Sequence, residues 1–387
     1  MAAKKAGAAG AGLSRQDAGR LGELLRGLEV QSRHFLGYPC NLAFDYSALL
    51  PLLHYPINNI GDPYHESSFR LNTHAFEREV LEIFQGLLHA PMDAIWGYVT
   101  GGGTEGNMYG IYLARELLPT GVVYYSEDTH YSVAKILRLL TARNIMIRSQ
   151  PNGEIDYNDL RETLRIHRDA PPIIFANIGT TMKGAVDNVP TIRTILRELA
   201  ISNYYIHADA ALSGMVLPFL EHSPEFDFRA GIDSISISGH KMVGSPIPCG
   251  VVLAKKAHVD RVKRAVEYIG TLDTTLSGSR SGLTPLFLWY ALKSKGLDGY
   301  ATLVRECEKL AEYAVHKLVA AGIAAWRNPH SLTVVFPRPP ESVAVRWQLA
   351  SHESIAHIIV MPHVTKAHID EFVKDVVAAQ AAKKGGS

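Results

Sequence analysis

The stretch Ser234-Ile-Ser-Ile-Ser-Gly-His240-Lys241 alternates serine with isoleucine and ends in a histidine and a lysine. We predict a buried strand over 234–238, followed by a small polar turn that carries the lysine. Burying a lysine at the end of an apolar strand costs free energy unless its amine has a chemical role. Burial lowers the pKa of an ammonium group, and the neutral amine can attack an aldehyde to form a Schiff base. Lys241 is therefore a candidate nucleophile, with a plain surface lysine as the alternative.

A second short strand lies upstream, in Tyr204-Tyr-Ile-His-Ala-Asp209-Ala-Ala, and ends in a carboxylate. An aspartate at one strand end and a lysine at another form the arrangement expected around pyridoxal 5'-phosphate. In that arrangement the lysine holds the cofactor's aldehyde and the aspartate faces its ring nitrogen. Asp209 could instead cap a helix or form an ion pair. His207 and Asp209 could also ligate a metal, but no third ligand has a suitable spacing, so we predict no metal site.

Short apolar segments alternate with helical patterns from about residue 94 to 255. This alternation predicts an α/β fold with a mostly parallel central sheet that helices cover on both faces. Ligands of such sheets bind beyond the carboxyl ends of the strands, where Asp209 and Lys241 fall. The predicted strands are 96–100, 122–126, 145–148, 173–177, 205–209, 234–238 and 250–254, and the predicted helices lie near 104–118, 130–142, 156–168 and 190–202.

The chain divides into five predicted segments. Residues 1–12 and 381–387 are predicted to be disordered tails because they consist almost entirely of alanine, glycine and lysine. Residues 13–75 form an N-terminal segment, in which Ser14 opens a helix and a loop-rich stretch follows. Residues 76–290 form the large cofactor-binding domain. Residues 291–380 form a small C-terminal α+β domain, with strands near 333–336 and 357–360 and a closing helix near 365–380.

The composition narrows the class of protein. Hydrophobic residues make up 47% of the 387 residues and charged residues 20%, as in ordinary globular enzymes. The formal net charge of +1, without a basic block, argues against nucleic acid as a partner. No apolar run approaches the roughly 18 residues that cross a bilayer, so no membrane partner is predicted. The lack of a signal-peptide core and the three widely spaced cysteines predict a cytoplasmic protein.

Two further motifs follow strand ends. Gly101-Gly-Gly-Thr-Glu-Gly-Asn107 lies between a strand and a helix, where close backbone approach and free N–H groups suit a phosphate. A plain strand-to-helix turn would look similar, and the motif matches neither of the common nucleotide-binding glycine patterns. His130 follows another strand and is placed to stack on the cofactor ring and to contact the substrate carboxylate. A lone histidine more often caps a helix or has a buried structural role.

Small and hydroxyl-bearing residues complete the candidate cofactor site. Thr180 and Thr181 end a strand and could bond to the cofactor's phenolate or to the substrate. Ala211 is small enough for the ring to lie against it. Ser238 and His240 flank the lysine, where they could bind phosphate. Each hydroxyl could instead form a turn hydrogen bond. The prediction of a cofactor site therefore depends on the shared location of these residues at strand ends.

Over roughly residues 35–375, the chain resembles the group II pyridoxal-phosphate decarboxylases of the aspartate-aminotransferase-like superfamily, also called fold type I. Within that family it is most similar to the short bacterial histidine decarboxylases, and the plant serine decarboxylases are similar over the same runs. The motif around Lys241 is specific to the subfamily, whereas the glycine turn is widely shared. The matching runs are Tyr98-Val-Thr-Gly-Gly-Gly-Thr-Glu-Gly-Asn, Thr129-His-Tyr-Ser-Val-Ala-Lys, His207-Ala-Asp-Ala-Ala-Leu-Ser-Gly-Met and Ser238-Gly-His-Lys-Met-Val-Gly-Ser-Pro-Ile-Pro-Cys-Gly.

The resemblance implies a role for each matching residue. Lys241 would hold the cofactor as a Schiff base, Asp209 would pair with the ring nitrogen, and His130 would stack on the ring and contact the substrate. The resemblance also implies a homodimer whose active sites lie at the subunit interface, with 58–66 and 271–282 as the segments that reach across it. The phosphate would lie among Gly102, Gly103, Thr104, Ser238 and His240.

The implied activity is the decarboxylation of an L-amino acid. L-Histidine is the expected substrate, giving histamine and CO₂, and Tyr64, Asn58, His65 and Ser67 could form a polar pocket for its imidazole. Serine or another small polar amino acid is the alternative substrate. A lyase or aminotransferase of the same fold would need an arginine clamp for the α-carboxylate, for which Arg280 is the candidate, and a binding protein without activity is a third alternative. The sequence does not identify the residue that protonates the product carbon.

Overall fold

The computed structural model of the protein describes residues 12–266 and 271–385. The predicted disordered tail at 1–12 lies outside these ranges except for its last residue, and so do residues 386–387 of the predicted tail at 381–387. Residues 381–385 continue the last helix of the chain. None of the helices in the described ranges combines the length and apolar character that crossing a membrane requires.

The helices follow the predicted order along the chain. They are α1 (Arg15–Ser32), α2 (His74–Leu87), α3 (Gly103–Leu117), α4 (Ser132–Leu139), α5 (Tyr157–Ile166), α6 (Val189–Glu198), α7 (Lys256–Val259), α8 (Leu283–Ala320), α9 (Glu341–Arg346) and α10 (Lys366–Gly385). The side chain of Ser14 accepts a hydrogen bond from the Asp17 N–H and caps α1 as predicted. Helices α4 and α6 end before the predicted positions, because Thr141 and Ala200 adopt positive φ angles just beyond them.

The strands include several short ones that the sequence pattern did not predict. They are β1 (Asn58–Ile60), β2 (Ile95–Thr100), β3 (Val122–Ser126), β4 (Asn144–Ile147), β5 (Pro172–Asn177), β6 (Tyr205–Asp209), β7 (Ser234–Ser238), β8 (Gly250–Lys255), β9 (Arg264–Val266), β10 (Thr271–Asp273), β11 (Ser279–Ser281), β12 (Thr333–Pro337), β13 (Ala350–His352) and β14 (Ile355–Ile359). The unpredicted strands β1, β9, β10, β11 and β13 have only three residues each, too few for an alternating pattern to stand out.

The central sheet has the strand order β2-β8-β7-β6-β5-β3-β4 within the described residues. The strands from β7 to β4 pair in parallel, which confirms the predicted α/β fold with a mostly parallel sheet. β8 runs antiparallel to both β2 and β7, a reversal that the sequence pattern did not indicate. Strands β5, β6 and β7 are buried at every position, as expected for strands covered on both faces. Their carboxyl ends, Asn177, Asp209 and Ser238, lie at the same edge of the sheet.

The C-terminal part of the chain forms a second, antiparallel sheet with the order β12-β14-β13. Strand β12 of this sheet packs against α8, and its Phe336 ring contacts Phe372 on α10, so helices and an antiparallel sheet pack together there. The N-terminal segment includes a 3₁₀ helix at Ser47–His54 and the strand β1, which pairs with β11. That pairing fixes part of the predicted loop-rich segment against the region around residue 280.

Candidate active site

A cavity of about 500 Å³ lies beyond the carboxyl ends of β5, β6 and β7. Its size suits a small-molecule ligand. Most of the predicted cofactor residues line it, and they come from separate strand ends and turns. Gly102 belongs to the same turn as Gly103 but is not part of the lining. The predicted residues that line the cavity are Gly103, Thr104, His130, Thr180, Thr181, Asp209, Ala211, Ser238, His240 and Lys241.

The Lys241 amine faces this cavity at the end of β7. Among the described residues, no hydrogen bond or ion pair satisfies it, while its main-chain carbonyl accepts a hydrogen bond from the Asn41 N–H at 3.2 Å. Burial lowers the pKa of the amine, and the charge of Asp209 partly opposes that effect. The backbone of the lysine is thus anchored while its side chain has an unpaired, nucleophilic amine.

Asp209 is held at the end of β6 by two hydrogen bonds. Its Oδ1 accepts from the Ala211 N–H at 3.1 Å, and its Oδ2 accepts from the Asn107 side-chain amide at 2.8 Å. The residue is only 8% exposed, and that exposure is toward the cavity. The carboxylate is therefore oriented, with acceptor capacity left over for a group in the cavity.

The glycine turn between β2 and α3 approaches the end of β7 closely. A Cβ atom on Gly103 would lie 2.8 Å from Ser238 Oγ, so only glycine leaves this space open. Glu105 stabilises the turn, since its carboxylate accepts hydrogen bonds from the Gly101 N–H at 2.7 Å and the Tyr98 hydroxyl at 3.0 Å. The turn presents the start of α3 to the cavity, where free N–H groups favour an anion.

His130 lines the cavity just before α4. Its Nδ1 accepts from the Ser132 N–H at 3.3 Å and lies 2.8 Å from Ser132 Oγ. Burial lowers the pKa of the imidazole; the charge of Asp209 partly opposes this effect, and the charge of Lys241 adds to it. The ring is therefore neutral at physiological pH, and its proton resides on Nε2.

The hydroxyl-bearing candidates and His240 differ in the contacts that their side chains already form within the protein. Thr180 Oγ1 accepts from the Ala185 N–H at 3.0 Å, which is the turn role considered as its alternative. Thr181 is exposed and also lines the cavity. Ser238 is buried and its hydroxyl faces the glycine turn. His240 Nδ1 contacts the main chain of Cys249, which orients the ring beside Lys241.

The cavity has a second wall, which the sequence motifs did not predict. We call the residues from the large sheet and its turns the sheet wall, and those from the C-terminal sheet and its loops the C-terminal wall. In the C-terminal wall, His330 Nδ1 lies 3.5 Å from a Glu308 carboxylate oxygen. His357 is buried, and its ring nitrogens face the carbonyl oxygens of Met182 and Gly37, each at 3.1 Å. The C-terminal wall consists of His330, Ser331, Leu332, Thr333, Ala350, His357 and Ile359.

Two predicted substrate-binding residues lie away from the cavity of their own chain. Asn58 donates to Ser279 Oγ at 3.1 Å and accepts from the Arg280 N–H. Tyr64 is 38% exposed, and its hydroxyl accepts a hydrogen bond from Gln85. Neither lines the cavity in the described part of the chain, so their predicted contact with substrate would require another copy of the protein.

The arrangement suits pyridoxal phosphate on three observations made above. An unpaired buried amine at Lys241 can bind an aldehyde, and an oriented carboxylate at Asp209 lies on the same cavity. The space above Gly103, at the start of α3, can receive a phosphate. The three features match the aldehyde, the ring nitrogen and the phosphate, which are the groups of the cofactor that a protein must hold.

Comparisons with known proteins agree with this chemistry. The model of the pyridoxal-dependent decarboxylase conserved domain matches residues 57–336. The chain is 47% identical over 364 residues to the histidine decarboxylase of Mesorhizobium japonicum, covering 94% of this chain and 98% of that one. It is 49% identical to the histidine decarboxylase of Morganella morganii, covering 90% and 93% of the two chains. The crystal structure of L-methionine decarboxylase from Streptomyces sp. 590 superposes with a TM-score of 0.88 at 26% identity and covers 95% of each chain.

Proposed function

Because the chain belongs to the pyridoxal-dependent decarboxylase family and uses pyridoxal phosphate, we propose that it converts L-histidine to histamine and CO₂. The relatives named histidine decarboxylase support this substrate, since the chain is nearly half identical to them over nearly their full length. The observation that carries the proposal is that an unpaired lysine amine and an oriented aspartate line one cavity.

Lys241 and Asp209 have complementary roles in this proposal. When bound, pyridoxal phosphate supplies a ring that accepts the electron pair left behind by departing CO₂. Lys241 holds the cofactor covalently, because burial keeps part of its amine neutral and nucleophilic. Asp209 stabilises a proton on the ring nitrogen, because its carboxylate is held in place by Asn107 and Ala211.

His130 orients the reacting group. Its Nδ1 accepts from Ser132, so its Nε2–H is available to donate to the substrate carboxylate. A neutral imidazole can lie against the cofactor ring without placing a second positive charge beside the protonated nitrogen. It can also release the carboxylate group as CO₂, because it does not hold that group by a full charge pair.

The sheet wall also supplies the proposed contacts to the cofactor's phosphate. We assign them to Gly103 and Thr104 at the start of α3, and to Ser238 and His240 on the lysine turn. Gly102 was also predicted for this role but does not line the cavity, so it is not assigned a contact. The close approach of Gly103 to Ser238 supports this assignment, since a side chain there would fill the site. Thr180, Thr181 and Ala211 also line the cavity and are assigned to the ring.

An aminotransferase activity is less well supported. The clamp suggested for it, Arg280, forms a buried ion pair with Glu77 and donates to the carbonyl oxygens of Val99 and Gly61. Its guanidinium also lies 5.2 Å from the centre of the Tyr98 ring. Arg280 is therefore committed to contacts that join the N-terminal segment to β2, away from the cavity.

We propose a homodimer in which a second copy covers α1 and brings Asn58 and Tyr64 to the cavity. Leu21, Leu24, Leu25 and Leu28 follow the i, i+3, i+4, i+7 spacing of a helix face and are between 50% and 68% exposed. A leucine stripe of this kind on an exposed helix is typical of a subunit interface. Light scattering should give a dimer for the wild type and a monomer for Leu24→Glu/Leu28→Glu. Arg26→Glu, on the opposite face of α1, should remain dimeric.

We also propose the cytoplasm as its compartment. Cys40, Cys249 and Cys307 are all unpaired, as is typical of reducing compartments. Burial raises the pKa of the Cys249 and Cys307 thiols to about 12, which keeps both in the unreactive thiol form.

The test of the activity is a screen of the cofactor-loaded protein with each of the twenty amino acids. CO₂ release identifies decarboxylation, and chromatography identifies the amine product. We expect the highest kcat/KM with L-histidine and histamine as its product. A preference for serine would overturn the choice of substrate alone. Keto acid without CO₂ would overturn the reaction type.

A further inference from the structure

A continuous chain of hydrogen bonds runs from Asp209 into the protein interior. The Asn107 amide nitrogen donates to Asp209 Oδ2 at 2.8 Å, and Asn107 Oδ1 lies 3.0 Å from His207 Nε2. His207 Nδ1 lies 2.7 Å from Ser234 Oγ. Asn107 is 3% exposed, and His207 and Ser234 are completely buried. Neither His207 nor Ser234 contacts the cavity, so the proposed reaction does not yet account for them.

The carboxylate sets the direction of every bond in this chain. An ionised Asp209 can only accept, so the Asn107 –NH₂ group must face it. Asn107 Oδ1 then faces His207 and can only accept, which places the imidazole proton on Nε2. Nδ1 is left as an acceptor for the Ser234 hydroxyl. The reverse direction would require Asn107 Oδ1 to face Asp209, and that arrangement is satisfied only if Asp209 is protonated.

The surroundings of His207 determine both the room available for its ring and the charge on that ring. Burial lowers the pKa of His207 to about 3, so the ring is neutral at physiological pH. Gly110 on α3 faces the ring, and a Cβ atom there would lie 2.1 Å from Nδ1. The glycine therefore lets α3 approach β6 closely enough for Asn107 to reach both His207 and Asp209.

We propose that Asn107, His207 and Ser234 are positioning residues that keep Asp209 ionised and directed at the ring nitrogen of the cofactor. Donation from Asn107 stabilises the carboxylate form, and the buried chain behind it prevents the amide from reversing. The consequence is a ring nitrogen that stays protonated through the reaction. This inference rests on the proposed role of Asp209 and is independent of the identity of the amino acid substrate.

The direct test is the protonation of the cofactor's ring nitrogen, measured by solid-state ¹⁵N NMR on protein loaded with ¹⁵N-labelled pyridoxal phosphate. In Asn107→Leu and His207→Phe we expect the resonance to move toward that of the unprotonated ring. We expect kcat to fall about 10- to 100-fold, the size typical of losing a residue that orients a directly contacting group, with KM little changed. His207→Gln should largely restore both, because its amide nitrogen can donate to Asn107 in place of Nε2–H.

The control is His74→Phe, which removes a buried histidine outside the cavity. It should leave the ring nitrogen resonance unchanged. A wild-type resonance in both His207→Phe and Asn107→Leu would overturn the proposal. If Asp209→Asn moves the resonance and those two variants do not, the role of Asp209 stands and the chain behind it is only structural. If Asp209→Asn also leaves it unchanged, the proposed role of Asp209 fails as well.

A measurement on the unmodified protein covers the case in which these variants fail to fold. With ¹⁵N-labelled histidine, His207 should give the spectrum of a neutral ring protonated on Nε2. A ring protonated on Nδ1 would mean that the chain runs in the reverse direction, and the proposal would be overturned.

Discussion

The sheet wall and the C-terminal wall of the cavity are built from different kinds of residue. The sheet wall places single residues at strand ends and tight turns. Gly103 approaches Ser238 closely, Asp209 is held by two hydrogen bonds, and the main chain of Lys241 is held by one. The C-terminal wall places a continuous stretch, 330–333, and the three strand residues Ala350, His357 and Ile359 opposite them, with His330 near Glu308. We propose that the first wall holds the cofactor and that the second selects among substrate side chains.

This difference explains why one wall has recognisable motifs and the other does not. Cofactor chemistry requires particular residue types at fixed strand ends, because the aldehyde, the ring nitrogen and the phosphate are the same in every member of the family. Selection of a substrate side chain can be achieved by many combinations of polar and apolar groups on a loop. If the two walls divide the work in this way, substitutions in each should have separable effects.

The largest effect should come from Lys241→Ala. Turnover should fall below detection and the visible absorbance of the bound cofactor should disappear, because no other amine in the described cavity lining can hold the aldehyde. Absorbance spectra and CO₂ release measure the two effects. Lys309→Ala, on the exposed face of α8, is the matched control and should behave as wild type. Retained decarboxylation in Lys241→Ala would show that the reaction does not depend on this residue of the sheet wall.

Asp209→Asn should have the next largest effect. The amide keeps the size of the side chain but cannot stabilise a proton on the ring nitrogen, so kcat should fall by about 10³-fold, as for the loss of a strong electrostatic group. The measurement is kcat under saturating histidine and cofactor. Near-wild-type kcat would contradict the role of Asp209.

A substitution in the C-terminal wall should change selectivity and leave the cofactor in place. For His330→Ala we expect the ratio of kcat/KM for histidine over serine to fall about 10- to 100-fold, while the dissociation constant of pyridoxal phosphate changes little. His352→Ala, exposed on β13 of the same sheet, is the matched control. An equal loss of cofactor affinity in His330→Ala would mean that the two walls are not separable.

The smallest effect concerns stability as a function of pH. His207 has a pKa of about 3 in the folded protein and about 6.5 when unfolded, so the unfolded state binds the extra proton between these values. Its contribution to stability is complete above pH 6.5 and is lost as the pH falls toward 3. Between pH 7.5 and 5.0 the wild type should lose about 2 kcal/mol more free energy of unfolding than His207→Gln. Urea unfolding at both pH values measures the difference, and equal losses would contradict it.

Much of the sheet wall could be predicted from the sequence, because buried strands and strand-end polar residues leave a local pattern. The strands that end at Asp209 and Ser238 were predicted with their observed bounds. The reversed β8 was not predicted as such, because its direction depends on the turn that returns from Lys241 and not on its own apolar residues. His330 and His357 were missed since they reach the cavity only through packing of the C-terminal sheet against the large one. Asn107 was visible only as the last residue of a glycine turn. Its partner His207, and Ser234 behind that histidine, lie far from it in the chain.

Asn107 and the residues at the start of α3 lie on one helix, so the helical rise fixes their separation. Under the assignments above, its first turn binds the phosphate, and Asn107, about 5 Å further along the axis, supports the contact at the ring nitrogen. The helix thereby sets the distance between the two ends of the molecule it holds. Inserting one residue between Thr104 and Asn107 would rotate the amide by about 100° away from Asp209. Because the unmodified helix fixes this distance, it should reject cofactor analogues with a longer phosphate arm, even where each of their functional groups is correct.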